Sequence, residues 1–245
     1  GRNGAGKSTL AKLLVGLLKP QSGELMLFGK PAKKWKVEDL AGQIALVFQN
    51  PEHQFLTDSV YDEIAYSYMA RGMSDTEEIR AGVTETLHML DLEGAEKLHP
   101  FALSAGMKRR LGVATMLVGH PRVLLVDEPT YGQDKQMTQT LMALMENIRQ
   151  QGVSVVMITH DMRLVQEFAR RAVVMSEGQV LYDGDPAMLF ESDEMLRSAN
   201  LRPTLLQEVL KAYEGRGICL NCPVRTTNDF LKLLQPQKPE ESHVH

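Results

Sequence analysis

The sequence is poor in cysteine, has no long apolar run and carries no excess of basic charge, and each shortage excludes a class of protein. Two cysteines in 245 residues cannot form a disulfide framework. The longest apolar runs, such as 123–126, are far shorter than the ~18–20 residues of a membrane-spanning helix. The 27 basic and 31 acidic side chains give a formal net charge of −4, without the basic stripe of a nucleic-acid binder. We therefore expect no nucleic-acid partner and no segment that crosses a bilayer by itself.

The chain also lacks an initiator methionine and a recognisable signal peptide. It begins at Gly1, already inside a glycine-rich motif, so we expect an N-terminally truncated chain. Without a signal peptide, the default compartment for its cysteines is the reducing cytosol. Cys219 and Cys222 have C-x-x-C spacing, and only His243 and His245 could complete a zinc site with them. We expect reduced, unligated thiols, with the zinc site as the alternative.

Apolar residues are frequent, at 43% of the chain, which is enough for a sizeable core in one large domain or in one domain with a small appendage. Their periodicity predicts strands and helices in alternation from residue 122 onwards. The predicted strands are 24–28, 44–48, 122–127 and 153–158; the predicted helices are 8–18, 135–151 and 161–170, with a hairpin near 172–183 turning at Glu177 and Gly178. Strands that alternate with helices predict an α/β fold with a parallel sheet.

A helical stretch interrupts this α/β pattern at about 57–119. Ser74 with Glu77 has the spacing of a capping box, and Ser104 precedes a further helical stretch that reaches about Val118. Residues from about 186 to 234 are predicted to be mostly helical, and 235–245 is a polar tail that we expect to be frayed. We thus expect a main domain over 1–190 with an inserted helical subdomain, and a C-terminal helical extension over 191–245.

The first motif with a chemical meaning is at the start of the chain. Residues 1–8 (Gly-Arg-Asn-Gly-Ala-Gly-Lys-Ser) fit the pattern G-x-x-x-x-G-K-[ST]. In such a loop the glycines let main-chain N–H groups surround phosphate oxygens, Lys7 adds a positive charge, and Ser8 can bind Mg²⁺ at a helix N-terminus. The alternative is a chance glycine-rich turn before a helix.

The second motif is the apolar run 122–128, which ends in Asp127 and Glu128. Asp127 would lie at the carboxyl end of a strand, where a Mg²⁺-bound nucleotide is found in doubly wound sheets. Glu128 could polarise an attacking water. The alternative for both acids is the capping of the next helix.

Together with four further segments, these motifs resemble the nucleotide-binding subunits of ATP-binding cassette (ABC) transporters. The shared features are the phosphate loop, Gln49 after a strand, the segment Leu-Ser-Ala-Gly-Met at 103–107, the pair Asp127 and Glu128, then Asp134 and His160, all in the family's order and spacing. The resemblance implies a P-loop NTPase fold that binds ATP and Mg²⁺ and works as a dimer. It also implies that a strand and an adenine-stacking aromatic lie upstream of this chain.

The resemblance also assigns roles to individual residues. Gln49 would contact Mg²⁺ or the attacking water, His160 would contact the γ-phosphate, and Ser104 with Gly106 would reach across a dimer interface to the partner's nucleotide. The catalytic candidates are Glu128, His160 and Gln49; the metal candidates are Ser8, Gln49 and Asp127; the nucleotide candidates are Gly1, Asn3, Gly4, Ala5, Gly6, Lys7, Ser8, Thr9, Ser104, Gly106 and Asp134.

Two segments depart from the family pattern. Ala105 and Met107 stand where the signature usually has Gly and Gln, and the segment 131–134 reads Tyr-Gly-Gln-Asp where Leu commonly precedes the Asp. An alanine Cβ could crowd the approach of the main chain to the nucleotide, and Met cannot donate a hydrogen bond as Gln does. We therefore expect a weaker site at this signature and favour pairing with a second, non-identical ATPase.

Within the ABC group, residues 50–65 and the triplet Lys-Arg-Arg at 108–110 resemble the ATPase subunits of energy-coupling factor and cobalt-type importers. The resemblance implies a groove for a transmembrane coupling subunit, a substrate-binding membrane subunit, and a peripheral location on the cytoplasmic face of the membrane. It implies vitamin or transition-metal uptake without selecting the substrate. A soluble ABC ATPase of DNA repair or translation, or an inactive nucleotide-binding module, is the alternative.

Overall fold

The computed structural model of the chain describes residues 1–130, 133–216 and 224–234, and these residues form two compact units. The larger unit is Gly6–Thr159. The smaller unit combines Gly1–Ala5 with His160–His245. The expected boundary near residue 190 stays a prediction.

The larger unit contains six helices and five strands in its described part. The helices are α1 (Lys7–Leu14), α2 (Val37–Ala41), α3 (Val60–Met69), α4 (Thr76–Met89), α5 (Ala105–Leu117) and α6 (Lys135–Gln150). The strands are β1 (Met26–Leu27), β2 (Lys30–Pro31), β3 (Ile44–Val47), β4 (Val123–Asp127) and β5 (Ser154–Ile158). Three short 3₁₀ turns accompany them, at Ala32–Lys34, Pro51–Gln54 and Pro100–Ala102.

The three longer strands form a parallel sheet in the order β3-β4-β5. Ile44 is opposite Val123, and Val126 is opposite Met157, so all three strands end at one edge of the sheet. The central strand β4 is buried, with Leu124 and Val126 fully covered, which explains its unbroken apolar sequence. The parallel sheet predicted from the strand-helix alternation is thereby confirmed.

One apolar cluster connects α1 and α2 to this sheet and to the hairpin of β1 and β2. Its buried members are Ala11, Leu27, Leu40, Ile44, Leu46 and Leu125. Because Ala11 is the buried residue of α1, the cluster fixes the start of that helix against the sheet. The functional motif at the start of α1 is thus held by the core.

Two predicted boundaries were wrong. The helix predicted over 8–18 ends at Leu14, because Gly16 has a φ of +77°, a left-handed conformation that terminates a helix, and Leu17 is left exposed. The strand predicted over 24–28 is limited to two residues, because Phe28 and Gly29 both have positive φ and form the turn of the hairpin.

The helical stretch at 57–119 contains α3, α4 and α5, and one of its predicted caps was also wrong. Asp75, rather than Ser74, is the N-cap of α4, and its carboxylate accepts hydrogen bonds from the main-chain N–H groups of Glu77 (2.9 Å) and Glu78 (3.0 Å). Ser104 is confirmed as the N-cap of α5, since its Oγ accepts a hydrogen bond from the N–H of Met107.

The smaller unit contains an antiparallel hairpin and five helices in its described part. The strands are β6 (Ala172–Ser176) and β7 (Gln179–Gly184); the helices are α7 (Met162–Phe168), α8 (Pro186–Glu191), α9 (Asp193–Ser198), α10 (Leu205–Glu214) and α11 (Thr227–Leu234). The predicted turn is confirmed, with Glu177 and Gly178 both at positive φ. Its core cluster is Ala172, Val174, Leu189, Phe190, Leu196 and Ala199.

Several predictions fall on residues outside those that the structure describes. They concern Tyr131 and Gly132, the pair Cys219 and Cys222, and the tail 235–245 with His243 and His245. Among the described residues, no helix is both long and apolar enough to span a membrane.

Candidate nucleotide site

The phosphate loop has the main-chain conformation that its glycines were expected to allow. Gly4 in the smaller unit has a φ of +84°, and Gly6 in the larger unit has a φ of +97°, which residues with a Cβ rarely adopt. Gly6 is the N-cap of α1 and supplies no capping side chain, and the first turn of α1 contains no acidic residue. A helix N-terminus with no capping side chain and no acidic residue in its first turn suits an anion.

Ser8 and Asp127 meet at the carboxyl end of β4. The Ser8 hydroxyl donates a hydrogen bond to Asp127 Oδ2 at 2.9 Å, across 119 residues of sequence. The structure thus brings together two of the three residues, Ser8, Gln49 and Asp127, that the sequence proposed as metal ligands. In residues 1–130, 133–216 and 224–234 there is no group of three or more His, Cys, Asp or Glu side chains placed to hold a metal. A hydroxyl with one carboxylate is a set of hard oxygen donors, which suits Mg²⁺ because this ion keeps phosphate and water oxygens as its other ligands.

Glu128 follows Asp127 in an unusual conformation. Its φ is +46°, which is uncommon for a residue with a side chain and often marks functional sites. The main-chain N–H of Glu128 donates to the Ile158 carbonyl at 2.8 Å, and its Oε2 accepts a hydrogen bond from Thr159 Oγ1 at 3.3 Å. The ends of β4 and β5 together fix this carboxylate.

Gln49 lies just after β3, on the same edge of the sheet, and is exposed. The segment that follows it is folded back, since Gln54 Oε1 accepts a hydrogen bond from the N–H of Phe48 at 3.2 Å. Asn50 caps the 3₁₀ turn by accepting from the N–H of Glu52 at 3.1 Å. Gln49 therefore lies in a loop whose two ends are fixed.

The signature segment and Asp134 are linked through Met137. Asp134 is the N-cap of α6, and its Oδ1 accepts a hydrogen bond from the N–H of Met137 at 2.8 Å. A Cβ added to Gly106 would lie 3.8 Å from the sulfur of Met137, so the Met137 side chain of α6 lies beside the start of α5. Ser104 and Ala105 are exposed at the start of α5.

His160 belongs to the smaller unit, whereas Gln49, Asp127 and Glu128 belong to the larger one. It is exposed and precedes α7, whose N-cap Asp161 accepts a hydrogen bond from the N–H of Arg163 at 2.9 Å. The approach of His160 to a nucleotide stays a prediction.

Residues 50–65 form a compact segment around one buried acid. Glu63 is 2% exposed, and its Oε2 accepts hydrogen bonds from the N–H groups of Leu56 and Thr57 and from the Thr57 hydroxyl. Lys108 on α5 pairs with Glu52 at 2.6 Å. The Leu56 side chain is 71% exposed, so this fixed segment presents an apolar residue at the surface.

Sequence reasoning missed Arg109. Its side chain is 4% exposed, with Nη1 donating to the Phe48 carbonyl at 2.9 Å and Nη2 donating to the Glu128 carbonyl at 3.4 Å. Burial lowers the pKa of Arg109 below its ordinary value, and the charge of Asp127 acts in the opposite direction. Helical spacing is the signal that could have indicated its burial, because Gly112 and Val113 lie three and four residues further along α5, on the same face, and are also buried.

Comparisons with known proteins identify the family and the fold of this chain. The family model described as "ABC transporter" matches residues 1–131. A "Putative HMP/thiamine import ATP-binding protein YkoD" of Bacillus subtilis is 43% identical over 218 residues, which is 87% of this chain and 38% of that protein. An "Energy-coupling factor transporter ATP-binding protein EcfA2" of Methanospirillum hungatei is 32% identical over 96% of this chain and 60% of that protein. This chain therefore spans less than two thirds of the length of either relative.

A solved structure has the same fold. It is that of cbiO1 from Clostridium perfringens, described as part of the ABC transporter complex cbiONQ, and it aligns with a TM-score of 0.73 and 33% identity over 86% of this chain and 85% of that one. With an α/β sheet, a phosphate loop and acids at the end of the central strand, and with a family match over more than half its length, the chain belongs to the ATP-binding proteins of the ABC transporter family.

Proposed function

We propose that the protein containing this chain hydrolyses ATP to drive the import of a vitamin or a transition metal across a membrane. The observation that carries the ATPase part is the contact of Ser8 with Asp127, beside Glu128 at the carboxyl end of β4. This arrangement joins the start of the phosphate-loop helix to the acidic pair, as nucleotide hydrolysis requires.

The residues of the larger unit have distinct roles in this proposal. The N–H groups at the start of α1 and the ammonium of Lys7 bind the phosphates. Glu128 orients a water for in-line attack on the γ-phosphate and accepts its proton. Gln49 would contact Mg²⁺ or the same water.

Ser8 and Asp127 would hold Mg²⁺. When bound, the ion would neutralise charge on the phosphate oxygens. The short contact between the two side chains supports this role, since it places two oxygen ligands together at the start of α1. His160 and the loop residues Gly1–Ala5 belong to the smaller unit, and their contacts with the nucleotide are part of the proposal.

The protein would act as a dimer in which Ser104 and Gly106 of one subunit contact the nucleotide of the other. Both residues begin α5, where a hydroxyl and helical N–H groups favour an anion. Because Ala105 and Met107 replace the usual Gly and Gln, we favour a second, non-identical ATPase as the partner.

The membrane partners would be a transmembrane coupling subunit and a substrate-binding membrane subunit, with the ATPase on the cytoplasmic face. The segment 50–65 supports this assignment, because its main chain is held by Glu63 while Leu56 remains exposed for a partner. The names of the relatives, which mention energy coupling and HMP/thiamine import, point in the same direction.

The test is to purify the natural full-length protein from detergent-solubilised membranes and identify what co-purifies by mass spectrometry. A transmembrane coupling subunit with a small membrane protein supports the importer, and a second ATPase supports the heterodimer. Recovery with ribosomes, with DNA, or alone in the soluble fraction contradicts the transporter proposal. Glu128→Gln tests the chemistry separately, since it should retain ATP and abolish turnover.

A further inference from the structure

Arg109 occupies a position that the proposed mechanism does not yet use. Among the described residues, the buried charged side chains are Glu63 and Arg109. Glu63 folds its own neighbouring loop, whereas Arg109 reaches residues 61 and 19 positions away in sequence. Burying a guanidinium is costly unless its N–H groups are paired, so these two bonds are a strong constraint on the structure.

The two acceptors of Arg109 are main-chain carbonyls at the catalytic edge of the sheet. Phe48 follows β3 and immediately precedes Gln49, and Glu128 follows the neighbouring strand β4. One guanidinium therefore joins the loop that contains Gln49 to the residue proposed to orient the water. A planar guanidinium can hold two acceptors at fixed positions, which the ammonium of Lys cannot do in the same geometry.

Glu128 needs such support because of its own conformation. A φ of +46° is sparsely populated for this residue type and persists only where the surroundings impose it. The peptide on its N-terminal side is held by the hydrogen bond to the Ile158 carbonyl, and the carbonyl on its C-terminal side is held by Arg109. Hydrogen bonds thus fix both sides of Glu128, and Arg109 donates one of these two bonds.

The neighbours of Arg109 in the basic triplet have different contacts. Lys108 pairs with Glu52, and Arg110 pairs with Asp91 at 2.5 Å. Asp91, the partner of Arg110, is exposed. Arg110 is therefore a matched control for Arg109: it has the same residue type, on the same helix, with a partner away from the catalytic edge.

We propose that Arg109 is a positioning residue for ATP hydrolysis, which holds Gln49 and Glu128 in place and connects them to α5, the helix that begins at the signature residue Ser104. The inference rests on the proposed ATPase function. It identifies a physical link within one chain between the signature segment, which would serve the partner's nucleotide, and the water-orienting residues of the chain's own site.

The experiment uses the full-length protein with its natural partners and the variants Arg109→Met, Arg109→Lys and Arg110→Met. We expect Arg109→Met to lower kcat about 10- to 100-fold, because a small displacement of a catalytic group has an effect of this size. KM for ATP should change less than about threefold, since the phosphate-binding residues are intact. Arg109→Lys should be intermediate, and Arg110→Met should stay within about twofold of wild type.

A purely structural role for Arg109 makes a different prediction. The melting temperature would fall, while kcat per folded protein would equal that of wild type; this result, or a raised KM with unchanged kcat, overturns the inference. If Arg109→Met does not fold, the kcat of Arg109→Lys is the test, and a wild-type value in that variant also overturns the inference.

The same assays separate this inference from the proposed function. Absence of ATPase activity in the wild-type complex, or full activity in Glu128→Gln, would contradict the proposed function itself. An active wild type and an inactive Glu128→Gln, together with wild-type kinetics in both Arg109 variants, would contradict only the role of Arg109.

Discussion

The carboxylate of Glu63 accepts two hydrogen bonds from Thr57, one from its main-chain N–H at 2.9 Å and one from its hydroxyl at 2.8 Å. A third bond comes from the N–H of Leu56 at 2.9 Å. We expect Glu63→Ala to destabilise the protein by about 2–4 kcal/mol, because three donors lose the buried carboxylate that accepts their hydrogen bonds. Urea unfolding followed by circular dichroism measures this change.

Glu85 on α4 provides the control, since it is an acidic residue of the same subdomain with an exposed side chain. Glu85→Ala should change the free energy of unfolding by less than about 0.5 kcal/mol. If the two alanine variants have equal stability, the buried hydrogen bonds of Glu63 do not stabilise the segment. The assignment of this segment as a fixed surface for a membrane partner would then lose its support.

The N-terminus of α4 allows a second test, between two adjacent residues. The Asp75 carboxylate accepts hydrogen bonds from two main-chain N–H groups. The cap predicted from sequence was the preceding residue, Ser74. Asp75→Ala should cost about 1 kcal/mol, and Ser74→Ala should change stability by no more than a few tenths of a kcal/mol. Equal losses in the two variants, or a larger loss for Ser74→Ala in thermal unfolding, would assign the cap to Ser74 after all.

Much of the larger unit could be predicted from sequence because its signals are local or strongly periodic. The apolar run of β4 and the glycine-rich start of α1 each predict one element and its chemistry. The predictions for the end of α1 and for the cap of α4 were wrong, because in each case two nearby residues fitted the sequence pattern. Pro20 lies just beyond the predicted helix end at residue 18, and both Pro20 and Gly16 can end a helix. Likewise, both Ser74 and Asp75 can cap one.

The sequence predicted which residues form the candidate site, but not which hydrogen bonds hold them in place. The spacing of Ser8 and Asp127 in known families predicts that they share one nucleotide, and the structure brings them to 2.9 Å. Arg109 could not be assigned in this way, because its acceptors are main-chain carbonyls, which every residue carries. Only the packing of α5 on the sheet selects Phe48 and Glu128 as its partners.

The hairpin of the smaller unit gives a prediction about pH. Arg171 donates two hydrogen bonds of 2.6 Å to Asp183, and these bonds and the positive charge hold the pKa of the Asp183 carboxyl below its ordinary value. A lowered pKa in the folded state means that the stabilisation is present above the unfolded pKa of about 3.9 and is lost as pH falls through the folded value.

Carbon-detected NMR titration of Asp183 measures this effect directly. In wild type its midpoint should lie below the ordinary value, and Arg171→Gln should move the midpoint upwards. Arg170→Gln, which alters the preceding residue, is the control for a general change in surface charge. An unchanged midpoint in Arg171→Gln would show that the ion pair does not form in solution.

The altered signature gives the last prediction, which concerns Ala105 and Met107. Both residues lie in the first turn of α5, where Ser104 Oγ accepts a hydrogen bond from the main-chain N–H of Met107 at 3.3 Å. Replacing both with the residues usual at this signature, Ala105→Gly and Met107→Gln, removes an exposed Cβ and adds an amide donor where the proposed dimer would place the partner's phosphates. A hydrogen bond to a charged group contributes about 1.5–3 kcal/mol, so turnover at that site should rise about 10- to 100-fold. Single-turnover ATPase assays of the dimer measure this rate, with Met107→Leu as the control that adds no donor.

The contrary outcome is a double variant that binds ATP normally and hydrolyses it at the wild-type rate. The altered signature would then not limit catalysis, and the argument for a non-identical partner would lose its physical basis.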